Sequence, residues 1–406
     1  MINTLFNRTL KDPSPINVNS FYIYLERFVN NGSPSGYAID VPKKYSPIND
    51  AIGAIKLGVF YDDWHKHICT GEIPTQIGLN TPIDKVPIIV HPRMIEEKMI
   101  PFSSIVEYIE AIPTASARTF FCATNSDKPF FIKCHYPWNV GRFKRDMPLF
   151  KWISSLERSK ELYKYQDSLP KNSAFLYETS GIFYQGETSK DSFGYIFRDF
   201  NISPVIDHQY IIIPAFSLFA NINHEGNQYC LIDLLMDAFE LSNMDVVELF
   251  VFSVIDAFIF LSTKLGLVPE CNAQNVLYEI SLTTGSVRTV VRDFEDFFID
   301  KSIRRENNFH TSFCSYKVID TCGNDFYERR SFAYDFKLSY YLVLPILESI
   351  SKGDDEILCK LKEIVKSYAK NKFGDYFKEQ DTWYAYPNKT EVDRGSYVER
   401  NNPLFR

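Results

Sequence analysis

The first half of the chain shows two different hydrophobic patterns. After Asn19-Ser20, apolar residues recur at helical spacing through residues 21–28, which predicts an amphipathic helix that starts at this pair. Between residues 129 and 199, short apolar runs such as Phe130-Phe131-Ile132 alternate with turn residues, as in a mostly antiparallel sheet. A longer periodic stretch, from Met147 to about Tyr165, predicts one helix within this sheet region.

After residue 210 the pattern becomes mainly helical, beginning with a buried strand through Ile211-Ile212-Ile213. The predicted helices are 231–239, a long helix that ends near Gly266, 333–351 and 355–369. The long helix is very apolar but contains Glu248, Asp256 and Lys264. Because charges are costly inside a bilayer, we interpret it as a buried helix of a protein core rather than a membrane span.

A β-hairpin is predicted between these helices. Residues 275–280 and 287–292 are two β-rich runs joined by a short loop that contains a glycine. Folding the second run back on the first places Asn275 opposite residue 293 or 294, so that Gln274 and Asn275 lie beside Asp293 at the open end. Amide and carboxylate oxygens are hard ligands suited to magnesium. The alternative interpretation is that these polar residues only cap the strand ends.

A second polar motif comes directly before an apolar strand. The segment Ser116-Ala117-Arg118-Thr119, called the 116–119 segment below, places hydroxyl groups around one guanidinium, and phosphate binding requires such fixed donors. Lys133 follows on a predicted strand, and Arg145 comes twelve residues later. Taken singly, each of these cations is more often a solvated surface group than a ligand contact.

Composition limits the classes of function. The chain has 406 residues, 45% of them hydrophobic, which is enough for at least one large core. The net charge of −7 offers no general attraction to nucleic acids or anionic membranes, so we expect neither as a partner. Eight cysteines without dense spacing indicate a reducing compartment, and the N-terminus lacks a secretory signal pattern. We therefore expect a cytoplasmic protein.

The ordered set of motifs is more specific than any one of them. In chain order the set is His91-Pro92, the 116–119 segment, Lys133, Arg145, Ile196-Phe197-Arg198-Asp199, Ile213-Pro214, Glu270 with Gln274-Asn275, and Arg292-Asp293. This order resembles that of the aerobactin-synthetase-like siderophore synthetases, which act independently of nonribosomal peptide synthetases. The resemblance covers about residues 85–300. The family usually carries a histidine where this chain has Asn272, and this chain has a shorter N-terminal region than typical members.

The resemblance implies an α+β fold shaped like a hand, with thumb, fingers and palm. Residues 1–90 would form a reduced, helical, thumb-like region. Residues 91–209 would form a fingers-like phosphate-binding region with a mostly antiparallel sheet. Residues 210–406 would form a helical, palm-like region that contains the β-hairpin. Related enzymes often form dimers, so the resemblance is also compatible with a homodimer.

The resemblance also implies an activity, that of an ATP-dependent ligase. Such enzymes activate a carboxylic acid, by family default citrate or a derivative, as an acyl-adenylate that an amine or hydroxyl substrate then attacks, and they release pyrophosphate and AMP. The implied catalytic cations are Arg118, Lys133 and Arg145. The other implied ATP contacts are Ser116, Thr119, Asn272, Gln274, Asn275 and Asp293. Magnesium would lie on Asn275 and Asp293. Fixed cations and a metal ion would stabilise the charge that develops on the phosphates.

Two other classes of function stay open. Glu270 to Asn275, the hairpin and Asp293-Phe294-Glu295 also echo the catalytic loop, strands and magnesium-binding aspartate of kinase-like small-molecule phosphotransferases. Against that class, the N-terminal part lacks a glycine-rich phosphate loop. The third class is a degenerate nucleotide-binding subunit. Reaction products separate the three, because a ligase forms AMP and pyrophosphate, a kinase forms ADP, and a degenerate subunit forms neither.

Overall fold

The fold combines helices with antiparallel sheets, so the α+β class predicted from the sequence is confirmed. The structure is a computed structural model. The residues that it describes are 2–33, 41–45, 53–74, 77, 81–100, 105–122, 129–140, 143–206, 209–224, 227–315, 317–320, 326–377, 381–387 and 397–406.

Helices occur along the whole described chain, and some of them are only one or two turns long. They are α1 (Ile2–Lys11), α2 (Pro15–Phe28), α3 (Pro92–Glu96), α4 (Leu149–Lys164), α5 (Ala215–Leu218), α6 (Leu231–Phe239), α7 (Asn243–Lys264), α8 (Lys301–Glu306), α9 (residues 326–351) and α10 (Asp355–Phe373). Both α7 and α9 include π-helical turns. A short 3-10 turn, Phe294–Asp296, follows the predicted hairpin.

Strands occupy most of the remaining described chain. They are β1 (Ile55–Asp63), β2 (Ile68–Thr70), β3 (Lys85–Val90), β4 (Glu107–Pro113), β5 (Thr119–Cys122), β6 (Phe130–Lys133), β7 (Tyr136–Val140), β8 (Phe143–Arg145), β9 (Ser173–Phe175), β10 (Glu178–Tyr184), β11 (Phe193–Asp199), β12 (Tyr210–Pro214), β13 (Asn221–His224), β14 (Asn227–Cys230), β15 (Leu267–Val268), β16 (Val276–Ser281), β17 (Val287–Val291), β18 (Phe298–Asp300), β19 (Val318–Ile319), β20 (Thr382–Ala385) and β21 (Val398–Asn401).

The largest sheet has the strand order β2-β10-β11-β6-β5-β4-β1-β3, and every neighbouring pair is antiparallel. Its central strands are buried on both faces, since Phe120 and Ile132 belong to one apolar cluster and Phe121 and Phe131 to another. This explains why the sequence shows continuous apolar runs here rather than strict alternation. The predicted antiparallel sheet is confirmed, but it also includes four strands that precede residue 114.

A smaller sheet holds the predicted hairpin, in the order β12-β16-β17-β9. Val276 pairs with Val291, so Asn275 faces Arg292 and not residue 293 or 294 as predicted. The register follows from the hairpin loop, which closes between Ser281 and Ser286 with Gly285 in a left-handed conformation at φ 67°.

The predicted helices are confirmed, and two of them begin earlier than predicted, α2 at Pro15 and α9 at Phe326. Helix α2 begins at Pro15, not after Asn19-Ser20, because a proline in the first turn has its φ angle already set for a helix. Helix α7 is long and apolar enough to cross a membrane, yet most of the residues in its most apolar stretch are buried inside the protein. It begins at a capping box formed by Ser242 and Asp245.

The sheets combine strands from different regions implied by the resemblance. The helical character expected for residues 1–90 holds for α1 and α2, but β1, β2 and β3 lie in the same range and belong to the large sheet. Strand β3 was not predicted, because Pro87 interrupts its β-strand pattern. The proline is tolerated because β3 is an edge strand. Strand β9, from the range 91–209, pairs with the hairpin instead. The division into thumb, fingers and palm stays a prediction.

A buried ionic contact joins α2 to both halves of the fold. The Glu26 carboxylate is fully buried and accepts hydrogen bonds from Tyr22 Oη (2.6 Å), Ala115 N (2.8 Å) and Arg292 Nη1 (2.8 Å). Arg292 Nε also donates to the Gln274 carbonyl at 2.9 Å. One helix therefore fixes the start of the 116–119 segment against the open end of the hairpin.

We expect Arg292→Met to lower the free energy of unfolding by about 3–5 kcal/mol, because it leaves the Glu26 carboxylate buried without its cation. Denaturant unfolding measures the change. The matched control is Lys360→Ala, which removes an exposed ion pair with Glu356 and should cost less than about 1 kcal/mol. Similar small losses in both variants would contradict the structural role of the Glu26–Arg292 pair.

Candidate active site

Charged side chains converge where the large sheet meets the open end of the β16–β17 hairpin. The sheet side contributes Arg118, Lys133, Glu178 and Arg198, and the hairpin side contributes Asp293, Glu295 and Asp296. Asp293 has a left-handed backbone conformation (φ 69°), which turns the chain sharply after β17 into the 3-10 turn Phe294–Asp296. This turn brings carboxylates from the hairpin onto cations from the sheet.

Lys133 lies at the centre of this cluster and is 2% exposed. Its Nζ contacts the Asp293 carboxylate, Glu295 Oε2 at 3.0 Å and Glu178 Oε1 at 3.6 Å. Burial alone would lower the pKa of Lys133, but the three carboxylates hold this pKa above its usual value. Lys133 is therefore an ammonium ion at neutral pH.

The Arg118 guanidinium is also fixed by several polar contacts. Its Nη2 donates to Glu295 Oε2 at 2.9 Å, and its Nη1 donates to the backbone carbonyls of Arg145 and Asp146, both at 3.1 Å. This guanidinium thus ties the 116–119 segment to the end of β8 and to the turn after β17. In the same segment, Ser116 Oγ accepts a hydrogen bond from Arg118 N at 3.4 Å.

Glu178 joins two of the cations and was missed in the sequence. Its side chain is fully buried, and its Oε1 lies 2.8 Å from Arg198 Nη2 and 3.6 Å from Lys133 Nζ. Ser155 donates a hydrogen bond to its other oxygen. Thr119 lies directly opposite Lys133 in the register of β5 and β6. Thr119, Lys133, Arg198 and Glu178 therefore come from four neighbouring strands of the sheet, β5, β6, β11 and β10.

Arg145 differs from the other predicted cations. It is half-buried, and its side chain forms no ion pair or hydrogen bond within the described part of the chain. Its charge nevertheless helps to lower the pKa of Asp296, so it lies close to that carboxylate. Arg145 is thus a cation at the site whose donors are uncommitted.

Asp293 and Asp296 are ionised. Burial would raise the pKa of both carboxyl groups, but Lys133 and Arg198 lower that of Asp293, and Lys317 and Arg145 lower that of Asp296. Each net pKa is well below the usual range, and each carboxylate remains partly exposed. Two accessible oxygen ligands close to each other fit magnesium, which usually takes one or two carboxylates together with phosphate and water oxygens.

Metal binding by protein side chains alone is not indicated. Within the described residues, no group of three or more His, Cys, Asp or Glu side chains could hold a metal ion. Asn275, the other predicted magnesium ligand, donates from Nδ2 to the Glu270 carbonyl at 3.1 Å, and its Oδ1 accepts no hydrogen bond in the described chain. The donor set around Asp293 therefore fits a magnesium ion only in company with a nucleotide.

The loop of residues 270–275 is shaped by its own amides. Asn272 Oδ1 accepts hydrogen bonds from the backbone N–H groups of Gln274 (2.9 Å) and Asn275 (3.2 Å). Gln274 Nε2 donates to the Ala115 carbonyl at 3.1 Å. Asn272 and Gln274 thus organise the loop and attach it beside the 116–119 segment. Their predicted contacts with ATP stay predictions.

Glu270, in the same loop, belongs to a second ionic group. Its two oxygens lie 2.7 Å from Lys317 Nζ and 2.8 Å from Lys337 Nζ, and Lys317 also contacts Asp296 at 2.7 Å. The kinase interpretation would require Glu270 as a base, but both of its oxygens are engaged by ammonium groups. Lys317 and Lys337 thus add a second pair of cations beside the cluster around Lys133. Neither lysine lies in a motif of the sequence.

The histidine of the His91-Pro92 pair contacts the backbone of the 116–119 segment. His91 is fully buried, and its Nδ1 accepts a hydrogen bond from Arg93 N at 3.1 Å. Its Nε2 therefore carries the proton and donates to the Ala117 carbonyl at 3.2 Å. Burial lowers the pKa of His91 to about 3, so the ring is neutral. This contact fixes the backbone of the 116–119 segment.

The comparisons with known proteins identify the fold. No family model matches the sequence, and no curated protein matches it. By structure, the petrobactin biosynthesis protein AsbB from Bacillus anthracis str. Sterne gives a TM-score of 0.69 at 15% identity, over 99% of this chain and 80% of that one. The chain has the IucA/IucC-type siderophore-synthetase fold.

Two aerobactin synthetases from a hypervirulent pathotype of Klebsiella pneumoniae give the same result. ATP-bound IucA has a TM-score of 0.68 at 14% identity, over 89% of this chain and 71% of IucA. IucC has a TM-score of 0.69 at 13% identity, over 100% of this chain and 80% of IucC. The sequence motifs resembled those of the synthetases over only about residues 85–300, whereas the synthetase fold extends over nearly the whole chain.

The buried His91 leads to a prediction about pH. The unfolded chain binds a proton at the ordinary histidine pKa of about 6.5, whereas the folded chain does not, so stability is lost as pH falls below that value. We expect the loss due to His91 to approach about 1.4 kcal/mol per pH unit. His91→Asn should unfold with a correspondingly flatter dependence on pH, measured by denaturant unfolding between about pH 6.5 and 4.5.

The exposed His310 provides the matched control for this measurement. His310→Asn should leave the slope of unfolding free energy against pH as it is in the unmodified protein. Equal slopes for the unmodified protein and His91→Asn would show that His91 is not held neutral by the fold.

Proposed function

We propose that the chain is an ATP-dependent ligase of siderophore-type biosynthesis, which activates a carboxylic acid as an acyl-adenylate and transfers the acyl group to an amine or hydroxyl. The observation that carries the proposal is the convergence of Arg118, Lys133 and Arg145 on the acidic turn after β17, in which Glu295 is buried and Asp293 and Asp296 are partly exposed. ATP-bound IucA, a synthetase of the same fold, adds support.

The charge balance of the site suits a nucleotide that arrives with a divalent cation. The carboxylates of Glu178, Asp293 and Glu295 neutralise the buried cations and would repel a bare triphosphate. Asp293 and Asp296 would hold magnesium, which when bound supplies charge neutralisation to the phosphates. When the Asp293 carboxylate binds magnesium, the Lys133 ammonium would have a donor left for a phosphate oxygen without moving from its position in the sheet.

The proposed reaction has two steps. A carboxylate oxygen of the substrate attacks the α-phosphorus of ATP, and the bond from that phosphorus to the bridging oxygen breaks to release pyrophosphate. The amine or hydroxyl then attacks the acyl carbon and releases AMP. Charge grows on the phosphate oxygens in the first step, and the fixed cations Lys133, Arg118 and Arg145 would stabilise it without reorganising.

Product analysis tests the proposed function. We expect AMP and pyrophosphate when the protein is incubated with ATP, magnesium, a panel of carboxylic acids that includes citrate, and hydroxylamine as a small nucleophile. ADP as the product would support a phosphotransferase instead. Formation of neither AMP nor ADP with any acid of the panel would leave the degenerate nucleotide-binding subunit as the better description.

Arg145→Ala separates catalysis from stability. Because the Arg145 side chain has no intramolecular partner in the described chain, its loss should leave the melting temperature nearly unchanged. We expect turnover to fall by about 10²–10³-fold, as when one preorganised charge-stabilising donor is removed. Arg8→Ala, an exposed arginine on α1, is the control that should keep full turnover. Full turnover in Arg145→Ala would remove this residue from the proposed site.

A further inference from the structure

A cavity lies at the closed end of the β16–β17 hairpin. Its volume is about 580 Å³, within the range of small-molecule sites. Glu279, the lining residue that lies nearest along β16 to the loop of residues 270–275, is four positions from Asn275, about 14 Å along an extended strand. The cavity is therefore separate from the candidate active site, although both contact the same two strands.

Arg288 is the buried cation of this cavity. It is 6% exposed, its Nε bonds to the Glu279 carboxylate, and its Nη1 donates to the Pro204 carbonyl at 2.8 Å. Its Nη2 has no hydrogen-bond partner among the described residues. A buried guanidinium N–H without an acceptor is costly, and most buried polar groups in proteins are paired. Arg288 lines the cavity, and a small shift of its guanidinium toward the cavity would place Nη2 against an acceptor there.

Several other lining residues supply hydrogen-bond donors, beside the apolar Ile206 and Val287. Lys171 lies on the wall with the hydroxyl-bearing side chains of Ser281, Thr284 and Ser286. The Thr284 and Ser286 hydroxyl oxygens are 2.7 Å apart, so one of the two O–H groups satisfies the other and one remains for a ligand. Since Glu279 offsets Arg288, Lys171 gives the described residues of this wall a net positive charge.

This lining selects for an oxygen anion. A cationic ligand would meet Lys171 and Arg288 and would find the Glu279 carboxylate already bonded to Arg288. An apolar ligand would leave Arg288 Nη2 unpaired. A phosphate or carboxylate group instead offers acceptors to the guanidinium, the ammonium and the hydroxyls together, and charge-assisted hydrogen bonds of this kind are the stronger ones.

We propose that this cavity is a second ligand site, which binds the phosphate or carboxylate group of a small metabolite between Arg288, Lys171 and the hydroxyls of the hairpin loop. The site is independent of the proposed ligase activity, because it uses none of the residues assigned to the nucleotide. It also gives a reason for a serine- and threonine-rich loop at the closed end of the hairpin.

Isothermal titration calorimetry tests the site with inorganic phosphate, acetate and citrate as separate probes. We expect saturable binding of at least one probe to the unmodified protein, and at least tenfold weaker binding to the double variant Lys171→Ala/Ser286→Ala. Both substituted residues are exposed, so the variant should fold normally. Binding of phosphate alone would assign a phosphorylated metabolite, and binding of acetate or citrate alone would assign a carboxylate.

Arg145→Ala is the second variant in this experiment, because it alters the candidate active site and leaves the hairpin loop unchanged. Binding that is unaffected in Arg145→Ala and weakened in the double variant supports the cavity. Binding that is lost in Arg145→Ala and kept in the double variant would place the anion in the active site and overturn the proposal. Absence of saturable binding with all three probes would overturn it as well.

Discussion

The constraint on which the structure depends is the compensation of one buried ammonium ion. Lys133 lies inside the protein, where an unpaired charge is prohibitively costly, so carboxylates must surround it. Glu178 comes from the same sheet, but Asp293 and Glu295 come from the turn after the hairpin. The large sheet and the hairpin are thereby held at a fixed separation, and Arg118 repeats the requirement through Glu295. The candidate active site is a consequence of this charge balance as much as of the apolar packing.

Local patterns in the sequence were sufficient to predict the elements that are stabilised locally. Helices α6, α7 and α10 and the hairpin all carry their own periodicity and end signals. The prediction was wrong where a distant contact or a proline decided the outcome, as at Pro15, which moved the start of α2, and at Pro87 in β3. A one-residue error in the hairpin register arose because loop closure at Gly285 depends on a backbone angle that residue spacing does not reveal.

The site was partly predictable for a similar reason. The motif order brought Arg118, Lys133, Arg145 and Asp293 into one hypothesis, and the structure places them in one region. The partners of these residues could not be derived, because Glu178 and Lys317 reach the site from elements without a motif. Among the acidic partners of these cations, only Asp293 and Glu295 lay in a motif that the sequence analysis had named. The sequence also could not show that Arg118 is committed to Glu295 while Arg145 is not.

The left-handed backbone at Asp293 limits which acids this position accepts. Among residues with a side chain, aspartate and asparagine enter this conformation most readily, because their short polar groups can bond locally. Glutamate would keep the negative charge but would need to accept a conformation that its longer side chain disfavours. The main chain therefore favours aspartate over glutamate at equal charge, and the shorter side chain holds the carboxylate one methylene group nearer to the backbone.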